Sequence, residues 1–229
     1  MPERFHDRRE AGRKLAGGLV SYTGRANAIV LALPRGGVPV GYEIARALNL
    51  DLDVFLVRKL GAPGREELAM GAIASGGIRV LNEEVVSSLG IPPEAVERVA
   101  GEEAVELKRR EHAYRAARPP LDLGNRTVIL VDDGLATGST MRAAVEAVRS
   151  QGPKRIIVAV PTASADVCAE FEALVDEVVC LMTPEFFYAV GLWYENFDQT
   201  SDDEVRALLD RAWRASSSGE RGQGPDGST

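Results

Sequence analysis

The sequence predicts an α/β fold: a mainly parallel sheet with helices on both faces, plus a small hood and a flap. Three observations lead there. Short apolar, β-branched runs alternate with longer amphipathic stretches, as strand–helix–strand units require. Two of these runs end in loops of small residues that lead directly into helical stretches. Six of the thirteen aromatic residues then gather in one late segment, 184–200.

Residues 5–19 set Phe5, Ala11, Leu15, Ala16 and Leu19 among charges, the pattern of an amphipathic helix. Residues 28–33 form a buried strand, Pro34 to Gly37 a turn, and 38–48 a helix with Asn49 near its end. A second strand is expected over 53–57, stopped by Arg58 and Lys59. The glycine-rich stretch 60–80 reads as a long mobile loop with weak strand character around 78–81. Pro93 opens a charged helix of some twenty residues, with Glu106–Arg110 and Glu111–Arg115 pairs on a solvated face. Strands at 128–131, 155–160 and 177–181 alternate with helices at 141–149 and 164–175, and a last helix covers 202–213. These alternations make one domain over 1–214, and the Ser/Gly-rich residues 215–229 are expected to be a disordered tail.

The bulk properties narrow the function. At 229 residues the chain buries about 70% of its unfolded surface and needs no staples. A net charge of −7 argues against nucleic-acid binding, which calls for a basic face. No apolar run reaches membrane-span length and the first residues lack a signal-peptide core, so a cytoplasmic protein is expected. Cys168 and Cys180 suggest neither a disulfide framework nor a thiolate metal site, and His6 and His112 read as solvated.

The most informative stretch is Val128-Ile-Leu-Val-Asp132-Asp133-Gly134-Leu-Ala136-Thr137-Gly138-Ser139-Thr140. In an open α/β sheet, ligands bind at the carboxyl ends of strands. A small-residue loop entering a helix offers free N–H groups and the positive end of the dipole, which suit a phosphate. Two adjacent carboxylates would repel that phosphate but suit hydroxyl groups, a Mg²⁺ ion or both. A phosphorylated sugar carries all of these groups. Pro34-Arg35-Gly36-Gly37 forms a second candidate anion loop, with Arg35 as a forked donor and two glycines that permit close backbone approach.

At these residues the chain resembles the type I phosphoribosyltransferases, whose signature is a hydrophobic strand, two acidic residues, two variable residues and a small-Thr-Gly-x-Thr loop. The resemblance covers roughly residues 5–181. It implies a 5-phosphate grip by Ala136, Thr137, Gly138, Ser139 and Thr140, and ring hydroxyls held by Asp132 and Asp133. It implies Mg²⁺ reached by the same two carboxylates through the substrate, and pyrophosphate held by Arg35, Gly36, Gly37, Arg58 and Lys59. Arg35, Lys59, Asp132 and Asp133 are the residues it would make catalytic. It also implies a loop peptide that is often cis, a closing flap at about 60–80, a base-binding hood at about 184–200 and a possible homodimer.

In the hood, Tyr188 or Phe187 takes the stacking place and Glu195 the place of an acid that can meet a metal; Tyr188 and Trp193 are the candidate acceptor contacts. Ala136 departs from the 6-oxopurine enzymes, which carry there an acid that partners the purine ring's proton, and so points away from hypoxanthine and guanine. Two functions therefore stand: transfer of the phosphoribosyl group from phosphoribosyl pyrophosphate to a nucleobase-like nitrogen, and a phosphoribosyl-pyrophosphate-binding regulatory module without significant turnover. A phosphoribosyl-binding domain that serves a partner enzyme is a third.

Overall fold

A computed structural model describes residues 4–116 and 118–217. Five parallel strands form the main sheet: β1 (Ala28–Ala32), β2 (Asp51–Val54), and, after three further strands described below, β6 (Thr127–Val131), β7 (Arg155–Thr162) and β8 (Glu177–Met182). Their spatial order is β2-β1-β6-β7-β8, and every pairing is parallel. β1 and β6 are buried along their whole length. Alternate residues explain why: Ala28, Val30, Ala32, Ile129 and Val131 join one core with helices α1 (Arg8–Ala16), α2 (Gly37–Leu48), α4 (Pro93–Arg115) and α7 (Asp202–Ser217). Ile29, Leu31, Val128 and Leu130 join the other with α5 (Ser139–Arg149) and α6 (Ala165–Glu172). A strand covered on both faces must read as an unbroken apolar run, and these do.

The stretch 60–80 is not a loop. β3 (Val57–Ala62), β4 (Arg65–Ala74) and β5 (Ile78–Leu81) form an antiparallel sheet in the order β3-β4-β5. The glycines that suggested a loop serve the hairpins. Gly64 follows Pro63 in the β3–β4 turn with φ +74°, and Gly76 and Gly77 turn β4 into β5 at φ +82° and +76°. Gly71 lies within β4, where a Cβ would come to 2.4 Å from the Val80 carbonyl oxygen of β5.

The second strand also ends earlier than expected. β2 stops at Val54, and the buried Phe55 and Leu56 carry the chain from one sheet to the other. Phe55 N–H still donates to Ala32 of β1, whereas Leu56 N–H donates to the Ser75 hydroxyl and Leu56 accepts from Ser75 N–H. Arg58 and Lys59 therefore lie inside β3 rather than at the tip of β2. Helix α3 (Glu83–Ser88), capped by Asn82, was not expected, although Asn82-Glu83-Glu84 is a helix-start pattern. α7 runs through Ser217, so residues 215–217 are helical; the rest of the expected tail, 218–229, lies outside the described residues.

Of the two ion pairs expected on α4, Glu106–Arg110 forms at 2.8 Å. Arg115 instead reaches Asp53 of β2, with three N–H···O contacts of 3.0–3.2 Å, and Glu111 accepts from Gly76 N–H. Asp53 and Arg115 side chains are only 12% and 11% exposed, so a carboxylate shielded from water takes the available guanidinium in preference to an exposed helix pair. Arg115→Met should accordingly cost about 2–3 kcal/mol, whereas Arg109→Met, which removes an exposed pair, should cost under about 1 kcal/mol. Urea titrations of both variants check the ranking.

Candidate functional site

The C-terminal ends of β1 and β6 lie side by side, joined by Leu33 N–H donating to Val131. Two loops leave there. After β6 come Asp132 and Asp133; after β1 comes Pro34–Gly37, whose Pro34–Arg35 peptide is cis. The loops are in contact. A Cβ on Gly36 would sit 2.0 Å from Asp133 Oδ2, and one on Gly37 would sit 2.6 Å from the Val131 carbonyl oxygen and 3.0 Å from Asp132 Cα. The glycines thus have a role the sequence did not suggest: they let the first loop close onto the aspartates. Gly36 and Gly37 also begin α2, and Gly36 offers no side chain to cap it.

Asp132 and Asp133 are mostly buried neighbours of the same sign. Burial first, and then the charge of Asp133, hold the Asp132 carboxyl well above its ordinary value. Burial also raises Asp133, offset by Arg8, whose Nε donates to Asp133 Oδ2 at 2.8 Å. Arg8 further donates to the Asp198 carbonyl and lies 3.8 Å over the Phe197 ring. The buried Tyr194 donates its hydroxyl to the Asp133 carbonyl at 2.6 Å. Sequence reasoning missed both residues: Arg8 is one charge among many on a polar helix face, and Tyr194 is one ring in an aromatic run. Their common partner is more than sixty residues from the nearer of them.

The second loop continues into α5. Gly138 is its N-cap at φ +68°, and a Cβ there would strike Phe171 at 2.7 Å. A glycine cap supplies no side-chain oxygen, and the first amide of α5, Ser139 N–H, turns to the Thr137 hydroxyl at a long 3.4 Å. Ala136, Thr137 and Thr140 are exposed and Ser139 is half-buried; the Thr137 hydroxyl donates to that of Ser139 at 3.1 Å. Gly134 packs against Val190 of the hood. The hood is tied to the chain's first described residues, where Phe5 N–H donates to Trp193 and Glu195 N–H to Phe5.

The remaining candidates are dispersed. The Arg35 guanidinium points to Asp202, 3.6 Å away. Arg58 is held by Glu103 of α4 at 2.6 Å. Lys59 is exposed and lines a cavity of about 540 Å³ between the β3–β5 sheet and α5, with Ser139 and Arg142 on the opposite wall. Tyr188 is 81% exposed, Trp193 stacks on Phe187, and Glu195 lies 2.9 Å from His6 Nδ1. Among the described residues no three His, Cys, Asp or Glu side chains gather to hold a metal. Asp132 and Asp133 are hard oxygen donors of the kind Mg²⁺ takes, and a pair of carboxylates suits an ion that keeps its waters and substrate oxygens.

A family model described as "Phosphoribosyl transferase domain" matches residues 3–192. The chain belongs to the phosphoribosyl transferase family. It is 49% identical over 210 residues to a Mycobacterium tuberculosis protein whose name includes the words "phosphoribosyl transferase", covering 92% of this chain and 47% of that one. The chain thus spans about half the length of the curated relatives it matches first. It is 36% identical over 138 residues to the Bifunctional protein PyrR of Deinococcus radiodurans, covering 57% of this chain and 73% of that one. The crystal structure of TT1426 from Thermus thermophilus superposes with a TM-score of 0.81 at 44% identity, over 90% of this chain and 97% of that one. The parallel sheet with helices on both faces is the fold that membership implies. No described helix is long and apolar enough to cross a membrane.

Two expectations follow from the aspartate pair. A carboxyl raised above its ordinary value of 3.8 stabilises the fold only at low pH, and that contribution is lost as pH rises through the raised value. Asp132→Asn should therefore raise the melting temperature at pH 7 in metal-free buffer, and the gain should vanish below about pH 3.8, as calorimetry across pH would record. The glycines should separate. Gly37→Ala meets backbone and should cost about 1–3 kcal/mol, as overpacking does. Gly36→Ala meets only the end of the Asp133 side chain and should displace that carboxylate from Arg8 with a smaller loss of melting temperature.

Proposed function

We propose that this chain transfers the 5-phosphoribosyl group of phosphoribosyl pyrophosphate to a nucleobase-like nitrogen, releasing pyrophosphate. The observation that carries the reading is the Asp132–Asp133 pair at the end of β6, closed on one side by Gly36 and Gly37 and followed at once by the glycine-capped N-terminus of α5. In this reading the amides of residues 136–140 hold the 5-phosphate. The two carboxylates hold the ring hydroxyls and stand close to the positive charge that develops on the ribose as pyrophosphate leaves. Arg35, with the loop backbone at Gly36 and Gly37, receives the departing pyrophosphate, although Gly37 N–H donates to Leu33 before the ligand binds, and Lys59 contributes from β3. Mg²⁺ bound with the substrate, within reach of Asp132 and Asp133, would neutralise pyrophosphate charge. The β3–β4 hairpin, whose tip from Pro63 to Leu68 is exposed, takes the part of the flap that excludes water. Tyr188 and Trp193 are the acceptor contacts in this reading.

One residue favours a second reading. Ala136 cannot exchange a proton with an acceptor, and a chain that only binds phosphoribosyl pyrophosphate as a signal would not need it to. A nucleobase screen with phosphoribosyl pyrophosphate and Mg²⁺, followed as pyrophosphate release, separates the two. Turnover with an acceptor other than hypoxanthine or guanine is expected. Tight binding with no release for any base would leave the regulatory reading, and efficient use of guanine would remove the argument from Ala136. In the same protein, Asp132→Asn and Asp133→Asn should each weaken Mg-phosphoribosyl-pyrophosphate binding by about 1.5–3 kcal/mol, read by calorimetry. Unchanged affinity in both would end the sugar-binding role.

A further inference from the structure

Arg35 does not face the aspartates. Its guanidinium lines a cavity of about 160 Å³ with Arg109, Arg110, Ala113 and Tyr114 of α4 and Asp202 of α7. The acid that lines this cavity with them is Asp202. Its Oδ1 accepts from the Tyr114 hydroxyl at 2.6 Å and lies 3.6 Å from Arg35 Nη1. Tyr114 is 6% exposed, so the acceptor position is fixed from the core side. Arg109 and Arg110 are both engaged by Glu106 and hold the opposite wall. Tyr114, then Arg35, Arg206 and Arg110, hold the Asp202 carboxyl below its ordinary value, as a carboxylate among donors should be. The backbone of the same loop lies against Asp133, at the position of Gly36. The loop thus sets the main chain of Gly36 at the aspartates and the side chain of Arg35 in a separate anion pocket.

We propose that Asp202 is a built-in competitor for pyrophosphate: it occupies an anion site made by Arg35 and Tyr114 and holds the Arg35 guanidinium away from the ligand until pyrophosphate displaces it. This rests on the proposed function, because it takes Arg35 to be a pyrophosphate ligand. Asp202 is then a positioning residue that sets affinity through Arg35. If Asp202 only begins α7, its loss should lower stability and leave affinity unchanged. If it competes, its loss should tighten binding.

The test is calorimetric titration of the full chain with Mg-phosphoribosyl pyrophosphate and, separately, with inorganic pyrophosphate and Mg²⁺. Asp202→Asn keeps the acceptor for Tyr114 and removes the charge. It should tighten both ligands about two- to fivefold, the range of an exposed ion pair. Asp203→Asn removes the same charge one residue away and should change neither. In an Arg35→Ala background Asp202→Asn should have no effect, which separates competition for Arg35 from a general change in field. Wild-type protein that binds both ligands while Asp202→Asn binds no tighter overturns the competitor and leaves the proposed function standing. Equal gains from both Asn variants, or a gain that persists without Arg35, also overturn it. Wild-type protein that binds neither ligand overturns the proposed function and this inference together.

Discussion

Two like charges at one strand end are the constraint around which this site is built. Placing Asp132 and Asp133 together in a half-buried position is unfavourable, as their raised carboxyls record. Several groups offset that cost. Arg8 supplies a full countercharge to Asp133, Tyr194 occupies the Asp133 carbonyl, and Asp133 N–H donates to the Asp132 carboxylate. The N-terminus of α2 also approaches, since only glycine at 36 and 37 lets it come so close. These partners come from the first helix, the hood, the β1 loop and the strand itself. The pair therefore joins four parts of the chain, and a variant that neutralises it should trade function for stability.

Helix α4 connects the rest. Its Glu103 holds Arg58 of β3, its Glu111 accepts from Gly76 in the β4–β5 turn, its Arg115 holds Asp53 of β2, and its Tyr114 fixes Asp202 of α7. The small sheet is thus attached to the main one in two ways: covalently and by hydrogen bonds at Phe55–Leu56 and Ser75, and by ion pairs through α4. The exposed β3–β4 tip lies beyond these attachments, where few apolar contacts oppose movement.

How much of this could be read in the sequence follows the range of the interactions. β1, β6 and β7 were legible because strands buried on both faces are written as apolar runs. The loop at 136–140 was legible because a strand end, two acids and small residues are contiguous. The small sheet was not: Gly61 and Gly71 are in its strands because neighbouring backbone comes too close for a Cβ, which a single sequence cannot distinguish from a loop glycine. The sheet switch was hidden because Phe55 and Leu56 are apolar on either side of it. The Arg115–Asp53 and Arg8–Asp133 pairs span 62 and 125 residues, and local spacing rules carry no information at that range. The cationic side chains assigned to pyrophosphate were the least legible. Which acid Arg35 and Arg58 meet depends on how α7 and α4 pack.

That last point bears on how an anion would be held. The chain carries a net charge of −7, so a polyphosphate approaches against the long-range field. Arg8, Arg35 and Arg58, three cations near the site, already face Asp133, Asp202 and Glu103. Local attraction from side chains would therefore begin at the exposed Lys59 of β3. Backbone would add to it at α5, where Gly138 brings no capping side chain to the positive end of the dipole, whereas at α2 Gly37 N–H donates to Leu33, Val38 N–H donates to Arg35 and residue 39 is a proline. The three arginines would be recruited only as their acids release them. Gly36 and Gly37 shape this region by letting the β1 loop close onto the aspartates, and Gly138 by keeping a side chain off the N-terminus of α5.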